Sequence, residues 1–241
     1  MSEAASAATI ELLQSHSLAT VVRRELERRI LAGDLVPGAK LNEEDVAATF
    51  NVSRGPVREA FRALESAGLL RVEKNRGVYV RQVSVEEADE IYEVRAGIDE
   101  LIGRLLAERI TPAQVAGLRA LLKRMQAQAR ARNVAEYYPL NVQFHEMLAL
   151  FTGNSALVAT YKRLVNALHL YRRETLARGP DSFPISTREH ADIVDAIADG
   201  NADRAGKLLY QHAMESRERL HRTLARPVET PRLLAAKRRK T

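Results

Sequence analysis

The chain has 241 residues, of which 46% are hydrophobic and 28% are charged, with a net charge of +6 and no cysteine. This length accommodates one large domain or two modest ones, each with its own core. The lack of cysteine excludes disulfides and thiolate chemistry and predicts a reducing, cytoplasmic location, and no apolar run approaches the roughly 18 residues that a membrane span needs.

Three helices are predicted in the N-terminal third of the chain. The first covers residues 18–32 and is followed by a glycine. A short helix over residues 43–50 and a tight turn lead to a third helix, for which Ser53 is a suitable N-cap. Gly68 is expected to end this third helix. Two helices joined by such a turn are typical of DNA-binding motifs.

Arginines line one side of the third helix. Arg54, Arg58 and Arg62 are four residues apart, so they form a row beside an apolar side made by Val57, Ala60, Phe61 and Leu64. A predicted β-hairpin follows, with the basic tip Lys74-Asn75-Arg76-Gly77. Arginines near a helix N-terminus suit insertion into a major groove, where they bind guanine. The alternative is an ordinary solvated helix face, which the combination of cap, turn, row and basic tip disfavours.

The remaining segments are helical in pattern and contain no strand signal. Capping boxes are predicted at Ser84-x-x-Glu87 and Ser186-x-x-Glu189, each opening a helix. The sequence predicts a mostly α fold, in which a winged helix-turn-helix of three helices and a β-hairpin wing precedes an all-α bundle of six helices. The predicted boundaries are a flexible tail at 1–17, a DNA-binding domain at 18–83, a helical domain at 84–226 and a basic flexible tail at 227–241.

Three histidines are predicted to face the interior of the helical half. His145 lies one helical turn after Asn141, and His190 and His212 each lie on the apolar side of another helix. Neutral imidazoles from different helices of a bundle can together bind a divalent metal ion. From spacing alone, hydrogen-bonded core histidines are the more common explanation.

Arg95 falls within the apolar stripe of the first long helix of this half. Because an unpaired buried charge is costly, the side chain needs an anion. We expect either a carboxylate of an effector, with Tyr92 as a hydrogen-bond donor, or a pair with Asp99 at i+4, or exposure at a dimer contact. Asn166 is a further residue predicted to line an effector cavity.

Two groups of motifs resemble a known family. The run VSRGPVREAFRALESAGLLRV and the later RGVYV resemble the winged helix-turn-helix of the GntR family of transcription regulators. The segments NVQFHEMLAL, TREHADIVDAIADGNADRA and LLYQHAMESR resemble the ligand-sensing FCD domain of its FadR subfamily, in the shorter VanR-like form. The resemblance implies DNA contacts by Ser53, Arg54, Gly55, Arg58, Arg76 and Gly77, and metal ligands at Asn141, His145, His190 and His212.

The resemblance implies a homodimeric transcription regulator, most often a repressor. It would bind palindromic double-stranded operator DNA and respond to a small organic acid held beside a divalent metal, which could be Zn, Ni, Mn or Fe. Two positions depart from the family pattern. Glu44 stands where the family often has Arg, and Asn141 stands where it commonly has Asp. A neutral amide leaves the charge of the ion uncompensated, which predicts weaker metal binding and a stronger attraction for an anionic effector.

Two other functions are compatible with parts of this sequence. A regulator that binds long-chain acyl-CoA without a metal is the nearest alternative. A metal-dependent hydrolase or lyase with a DNA-binding head would need a general base beside the metal. Glu146 and Glu189 adjoin ligand histidines in sequence, but adjacent helical positions point about 100° apart. With no HExxH motif and no nucleophile elbow, the sequence predicts a protein that is not an enzyme.

Overall fold

The structure is a computed structural model that describes residues 17–178 and 182–225. The predicted tails lie outside these residues, apart from Ser17. The N-terminal elements are α1 (Leu18–Ala32), β1 (Lys40–Leu41), α2 (Glu43–Phe50), α3 (Arg54–Ser66), β2 (Leu70–Glu73) and β3 (Gly77–Val80). The C-terminal elements are α4 (Val85–Arg109), α5 (Pro112–Arg130), α6 (Val134–Phe151), α7 (Ser155–Arg178), α8 (Ser182–Ala198) and α9 (Ala202–Ala225).

Helices α1 to α3 and the sheet share one hydrophobic core, which confirms the predicted winged helix-turn-helix. The strands form an antiparallel sheet in the order β1-β3-β2, with Leu70 opposite Val80 and Val72 opposite Val78. Because apolar residues recur at every third or fourth position of α1 and α3, these two helices pack face to face. Their fully buried residues are Val22, Leu26 and Ile30 of α1 and Val57, Ala60, Phe61 and Leu64 of α3.

Helices α4 to α9 build a separate, larger core, so the six-helix prediction is confirmed for the part of the chain that the structure describes. Helices α4 and α9 cross at two glycines. A Cβ on Gly103 would lie 2.6 Å from the carbonyl carbon of Ala205, and a Cβ on Gly206 would lie 3.0 Å from the carbonyl oxygen of Glu100. The close approach of these backbones depends on the missing side chains.

The start of α8 differs from the prediction. The capping box at Ser186-x-x-Glu189 does not form, because α8 already begins at Ser182 and Ser186 is buried inside it. Pro184 lies in the first turn of α8, where a missing N–H is tolerated. At the start of α5, by contrast, Thr111 and Gln114 form a complete capping box.

Helix α7 connects the two cores. The Asn166 side chain donates a hydrogen bond to the carbonyl of Ala67 at the end of α3, at 2.8 Å. The Tyr171 hydroxyl donates to the carbonyl of Val83, also at 2.8 Å. Gly68, with φ of +77°, packs so closely that a Cβ would lie 2.8 Å from the carbonyl oxygen of Arg163. None of the described helices combines the length and apolarity needed to cross a membrane.

Candidate functional site

The arginine row of α3 is exposed. The side chains of Arg54 and Arg58 are 51% and 53% exposed, while the opposite side of the helix is buried against α1. Ser53 occupies the N-cap position, but its hydroxyl makes no capping hydrogen bond and stays at the surface. A Cβ placed on Gly55 would meet no atom within 4 Å. The N-terminal half of α3 is therefore an open, cationic surface.

Two carboxylates of α2 hold these arginines. Arg58 donates from Nε to Glu43 Oε2 at 2.7 Å. Arg54 donates from Nη1 to Glu44 Oε1 at 2.9 Å and from Nη2 to Glu43 at 3.3 Å. The hydrogen bond from Arg58 is the main reason that the pKa of Glu43 lies below its usual value. Glu44, the residue that departs from the family pattern, thus competes with any other anion for Arg54.

The wing tip carries a second exposed arginine. The Arg76 side chain is 78% exposed and pairs only with Glu73 of the same hairpin among the described residues, at 3.3 Å. Gly77 has φ of +119°, a backbone conformation that residues other than glycine rarely adopt. The Tyr79 hydroxyl donates to the Arg76 carbonyl at 3.0 Å and fixes the turn.

The three predicted histidines meet inside the helical bundle. His212 Nε2 lies 3.1 Å from His190 Nε2 and 3.3 Å from His145 Nε2, and all three residues are at most 3% exposed. Ligand nitrogens about 2.05 Å from a tetrahedral ion are about 3.3 Å apart. The spacing of the imidazoles therefore fits one divalent ion between them, and this buried triad could bind a metal.

A carboxylate orients one of the histidines. His212 Nδ1 lies 2.7 Å from Glu189 Oε2, and Arg219 binds both oxygens of Glu189 at 3.0 and 3.2 Å. Burial would raise the pKa of Glu189, but the hydrogen bond from His212 and the charge of Arg219 lower it to about 2. The ionised carboxylate holds the proton on Nδ1, which leaves the lone pair of His212 on Nε2, facing the other imidazoles.

Burial also keeps His212 uncharged. Removal from solvent lowers the pKa of His212 to about 4, although the hydrogen bond to Glu189 acts in the opposite direction. The charges of Arg219 and Arg95 contribute to the same lowering. A neutral imidazole is the form that binds metals. The sequence does not assign Glu189 or Arg219 to this site, because Glu189 points away from its neighbour His190 and instead contacts His212 and Arg219 on the next helix.

Arg95 is completely buried next to this centre. Its Nε lies 3.0 Å from Asp99 Oδ2, so the i+4 pair that the sequence offered is formed. Its guanidinium carbon also lies 5.8 Å from the Tyr92 ring and 6.0 Å from the Tyr161 ring. Burial alone would lower the pKa of Arg95, but the Tyr161 oxygen and the Asp99 carboxylate outweigh it and raise the pKa. The Nη1 and Nη2 atoms make no hydrogen bond of normal geometry to the described residues.

Of the remaining predicted residues, Asn141 and Tyr92 lie at the histidine centre or beside Arg95, and Asn166 lies at the contact between α7 and α3. Asn141 is 5% exposed, one turn before His145 on α6, and Tyr92 is buried beside Arg95. Asn166 does not belong to this group of buried residues. Its hydrogen bond to Ala67 places it at the contact with α3, so its predicted role in lining the effector cavity is wrong. The face of α7 that carries it packs on the DNA-binding region.

Comparisons with known proteins agree with this architecture. Residues 18–80 match the family of bacterial regulatory proteins described as gntR family, and residues 90–216 match the FCD domain. The chain is 28% identical over 201 residues to the HTH-type transcriptional regulator YdhC of Bacillus subtilis, covering 83% of this chain and 89% of YdhC. It is also 28% identical over 198 residues to the HTH-type transcriptional repressor RspR of Escherichia coli, covering 82% of this chain and 86% of RspR.

Among solved structures, E. coli McbR/YncC has a similar fold. The TM-score is 0.75 at 21% sequence identity, and the match covers 86% of this chain and 99% of McbR/YncC. Since the FCD match alone spans more than half of the chain, the chain belongs to the GntR family of transcription regulators that carry an FCD domain. It is a transcription regulator and not an enzyme, as the sequence predicted.

Proposed function

We propose that this regulator is a homodimeric repressor that releases palindromic operator DNA in response to a small organic acid bound beside a metal ion. The observation that carries the proposal is that one chain contains both an exposed site and a buried site for charged ligands. One is an exposed arginine surface on α3, and the other is a buried centre of three histidines and Arg95.

The DNA half of the proposal rests on the geometry of α3. Arg54 and Arg58 extend from the exposed first two turns, which is the part of a recognition helix that reaches base edges. Arginine binds guanine through two parallel hydrogen bonds. The Nε atom of Arg58 is held by Glu43, whereas its two terminal nitrogens make no hydrogen bond to the described residues and are available for such a pair. Arg76 and Gly77 on the wing, and Ser53 and Gly55 at the helix start, would contact the adjoining backbone and groove.

The metal half rests on the donor set. His145, His190 and His212 would hold the ion, with Asn141 as a neutral oxygen donor one turn away. Imidazole ligands suit Zn, Ni, Mn or Fe. When bound, the ion supplies a positive charge and open coordination positions for a ligand oxygen. Three neutral imidazoles and an amide leave that charge uncompensated, which favours an anionic ligand.

Arg95 supports a carboxylate as that anion. Asp99 neutralises the guanidinium from one side only, and Nη1 and Nη2 make no hydrogen bond of normal geometry to the described residues. Arginine binds carboxylates with a paired fork of hydrogen bonds. A small acid with one oxygen toward the ion and one toward Arg95 would satisfy both, and the Tyr92 hydroxyl lies on the same side of α4 as a further donor.

The proposed dimer is supported by an apolar stripe on α4. Val94 and Leu101 are 56% and 45% exposed, and they flank Gly97, where a Cβ would meet no atom within 4 Å. A second copy packed on this face would bury Val94 and Leu101 and join two DNA-reading heads in one dimer. Two heads related by symmetry read an inverted repeat. The proposed direction of control, repression, is supported by the similarity to RspR, a transcriptional repressor.

The proposal is tested in two steps with the full-length protein. Selection of bound duplexes from a random DNA pool should enrich an inverted repeat, and enrichment of a single half-site without symmetry contradicts the dimer. A thermal-shift screen of sugar acids, dicarboxylates and aromatic acids, with and without a chelator, should then find an acid that stabilises the protein only when metal is present. Stabilisation that survives the chelator contradicts the proposed site.

A further inference from the structure

A cavity lies where α1 meets α6, apart from the histidine centre, and we call it the α1–α6 cleft. It encloses about 780 Å³, within the range of about 300–1,000 Å³ that small-molecule sites occupy, and such sites are common between domains. Its walls are mostly apolar and come from Leu31 and Ala32 of α1 and Val134, Pro139 and Val142 of α6. None of the three histidines of the metal centre lines it.

The floor of the cleft is closed by two polar side chains that bond to each other. The Tyr138 hydroxyl lies against His169 Nδ1, and His169 Nε2 lies 2.9 Å from the carbonyl of Leu31. A carbonyl only accepts, so Nε2 carries the proton and Nδ1 accepts from the tyrosine. One neutral tautomer thus satisfies both contacts. An occupant of the cleft therefore meets a floor whose polar atoms are already bonded, which favours an apolar body.

The rim of the cleft carries two arginines and two glutamates, which differ in whether they are paired. Glu27 pairs with Arg23 at 2.9 Å, and Arg28 pairs with Glu25 at 2.9 Å. Glu146 lies 3.9 Å from Lys162 across the surface. Arg24 also lines the cleft and is exposed, and it forms no ion pair with the described residues. Arg28 also lies 3.7 Å from Asp34, so Arg24 is the one charged residue of this lining without an ion pair among the described residues, and it is available to an anion.

We infer that the α1–α6 cleft binds a small, flat, mainly apolar molecule that carries one anionic group. The apolar body lies between Leu31 and Val142, and the anionic group faces Arg24. Because Pro139 has no N–H, the carbonyl of Ala135 lacks its usual helical donor and offers one further acceptor at the wall. This site goes beyond the proposed function and does not depend on the metal centre.

The position of the cleft gives its occupant access to both halves of the molecule. Helix α1 packs against the recognition helix α3, and α6 carries His145 on another of its faces. A molecule between α1 and α6 therefore contacts both the helix that packs behind the DNA-reading surface and a helix that carries a histidine of the metal centre. A ligand that binds one arrangement of two domains more tightly than another shifts the protein toward that arrangement, by the difference in its two affinities.

The test uses naphthalene-2-carboxylate as the acidic probe and 2-naphthamide as its neutral counterpart. Each is titrated into the full-length, methyl-labelled protein and followed by nuclear magnetic resonance. Saturable shifts are expected at Leu31, Val134 and Val142. The acid should bind about two- to fivefold more tightly than the amide, as for an exposed ion pair. Absence of saturable shifts at these methyl groups overturns the proposal.

Three variants locate the probe. Arg24→Gln should abolish the preference for the acid, and because this side chain is exposed, folding should be unaffected. Val142→Phe fills the cleft and should weaken both probes at least about tenfold. His190→Ala, in the metal centre, should bind both probes as the parent does. Loss of binding in His190→Ala, or an acid preference that persists in Arg24→Gln, overturns the assignment.

Discussion

The DNA-reading surface and the histidine centre hold their charges in different ways. Arg54 and Arg58 are about half exposed, and their partners Glu43 and Glu44 can be replaced by water or phosphate. Arg95 and Asp99 are 0% and 2% exposed, so neither can exchange its partner for solvent. Surface pairs contribute about 0–1 kcal/mol, whereas breaking a buried pair costs about 3–5 kcal/mol. The first arrangement suits a partner that comes and goes, and the second suits a site whose shape must persist.

The largest effect is expected from removing a reading arginine. Arg58→Ala should weaken specific operator binding about 100-fold or more, because the proposed dimer would lose two bidentate guanine contacts. Since the side chain is exposed, the circular dichroism spectrum should not change. The measurement is a mobility shift with the selected operator. Arg119→Ala is the matched control, because Arg119 is a 57% exposed arginine of α5. Equal operator affinity for the Arg58 variant and the control would refute the assigned role.

A smaller effect, on metal affinity, is expected from neutralising Glu189, the carboxylate that contacts His212. Glu189→Gln keeps the shape but loses the charge that orients His212, so metal affinity should fall about 10- to 100-fold. Competition with a fluorescent chelator measures this change. Glu93→Gln removes a surface carboxylate that pairs with Arg217, and it should leave metal affinity unchanged. If both variants bind metal as the parent does, Glu189 has no role in the centre.

The sequence predicted the exposed site more completely than the buried one. The bounds of α2 and the position of α3 follow from local signals, namely the Asn51 turn and the row of arginines. The contact of Glu189 with His212 joins residues on different helices, and no local spacing encodes it. Asn166 was misassigned for a related reason, since α7 packs on two regions and its sequence does not say which face meets which.

Two glycines of the helical domain allow a test of its packing through the free energy of unfolding. Gly103→Ala should lower the free energy of unfolding by about 1–3 kcal/mol, because the added methyl group would lie 2.6 Å from the Ala205 backbone. Gly117→Ala places its methyl group 3.7 Å from Met147 Cε, an ordinary contact, and should stabilise α5 by up to about 1 kcal/mol. Urea denaturation compares the two. Equal stability would show that α4 and α9 do not approach as closely as described.

The smallest effect concerns the carboxylate that departs from the family pattern. Glu44→Gln removes the charge that holds Nη1 of Arg54 and should raise operator affinity about two- to fivefold, less at high salt. Glu108→Gln is a control of equal net charge, at an exposed position of α4. Fluorescence anisotropy at two salt concentrations measures both. Weaker binding by the Glu44 variant would mean that Glu44 itself contacts a base, for which cytosine N4 is the matching donor.

The most direct test of the account is the metal content of the purified full-length protein. His190→Ala removes one imidazole of the centre, and His221→Ala removes a histidine that pairs with Asp89 outside the centre. We expect one divalent ion per chain in the parent and in His221→Ala, and a loss of that ion in His190→Ala. A parent without bound divalent metal, or equal content in all three proteins, would contradict this expectation and favour a regulator that binds its ligand without a metal.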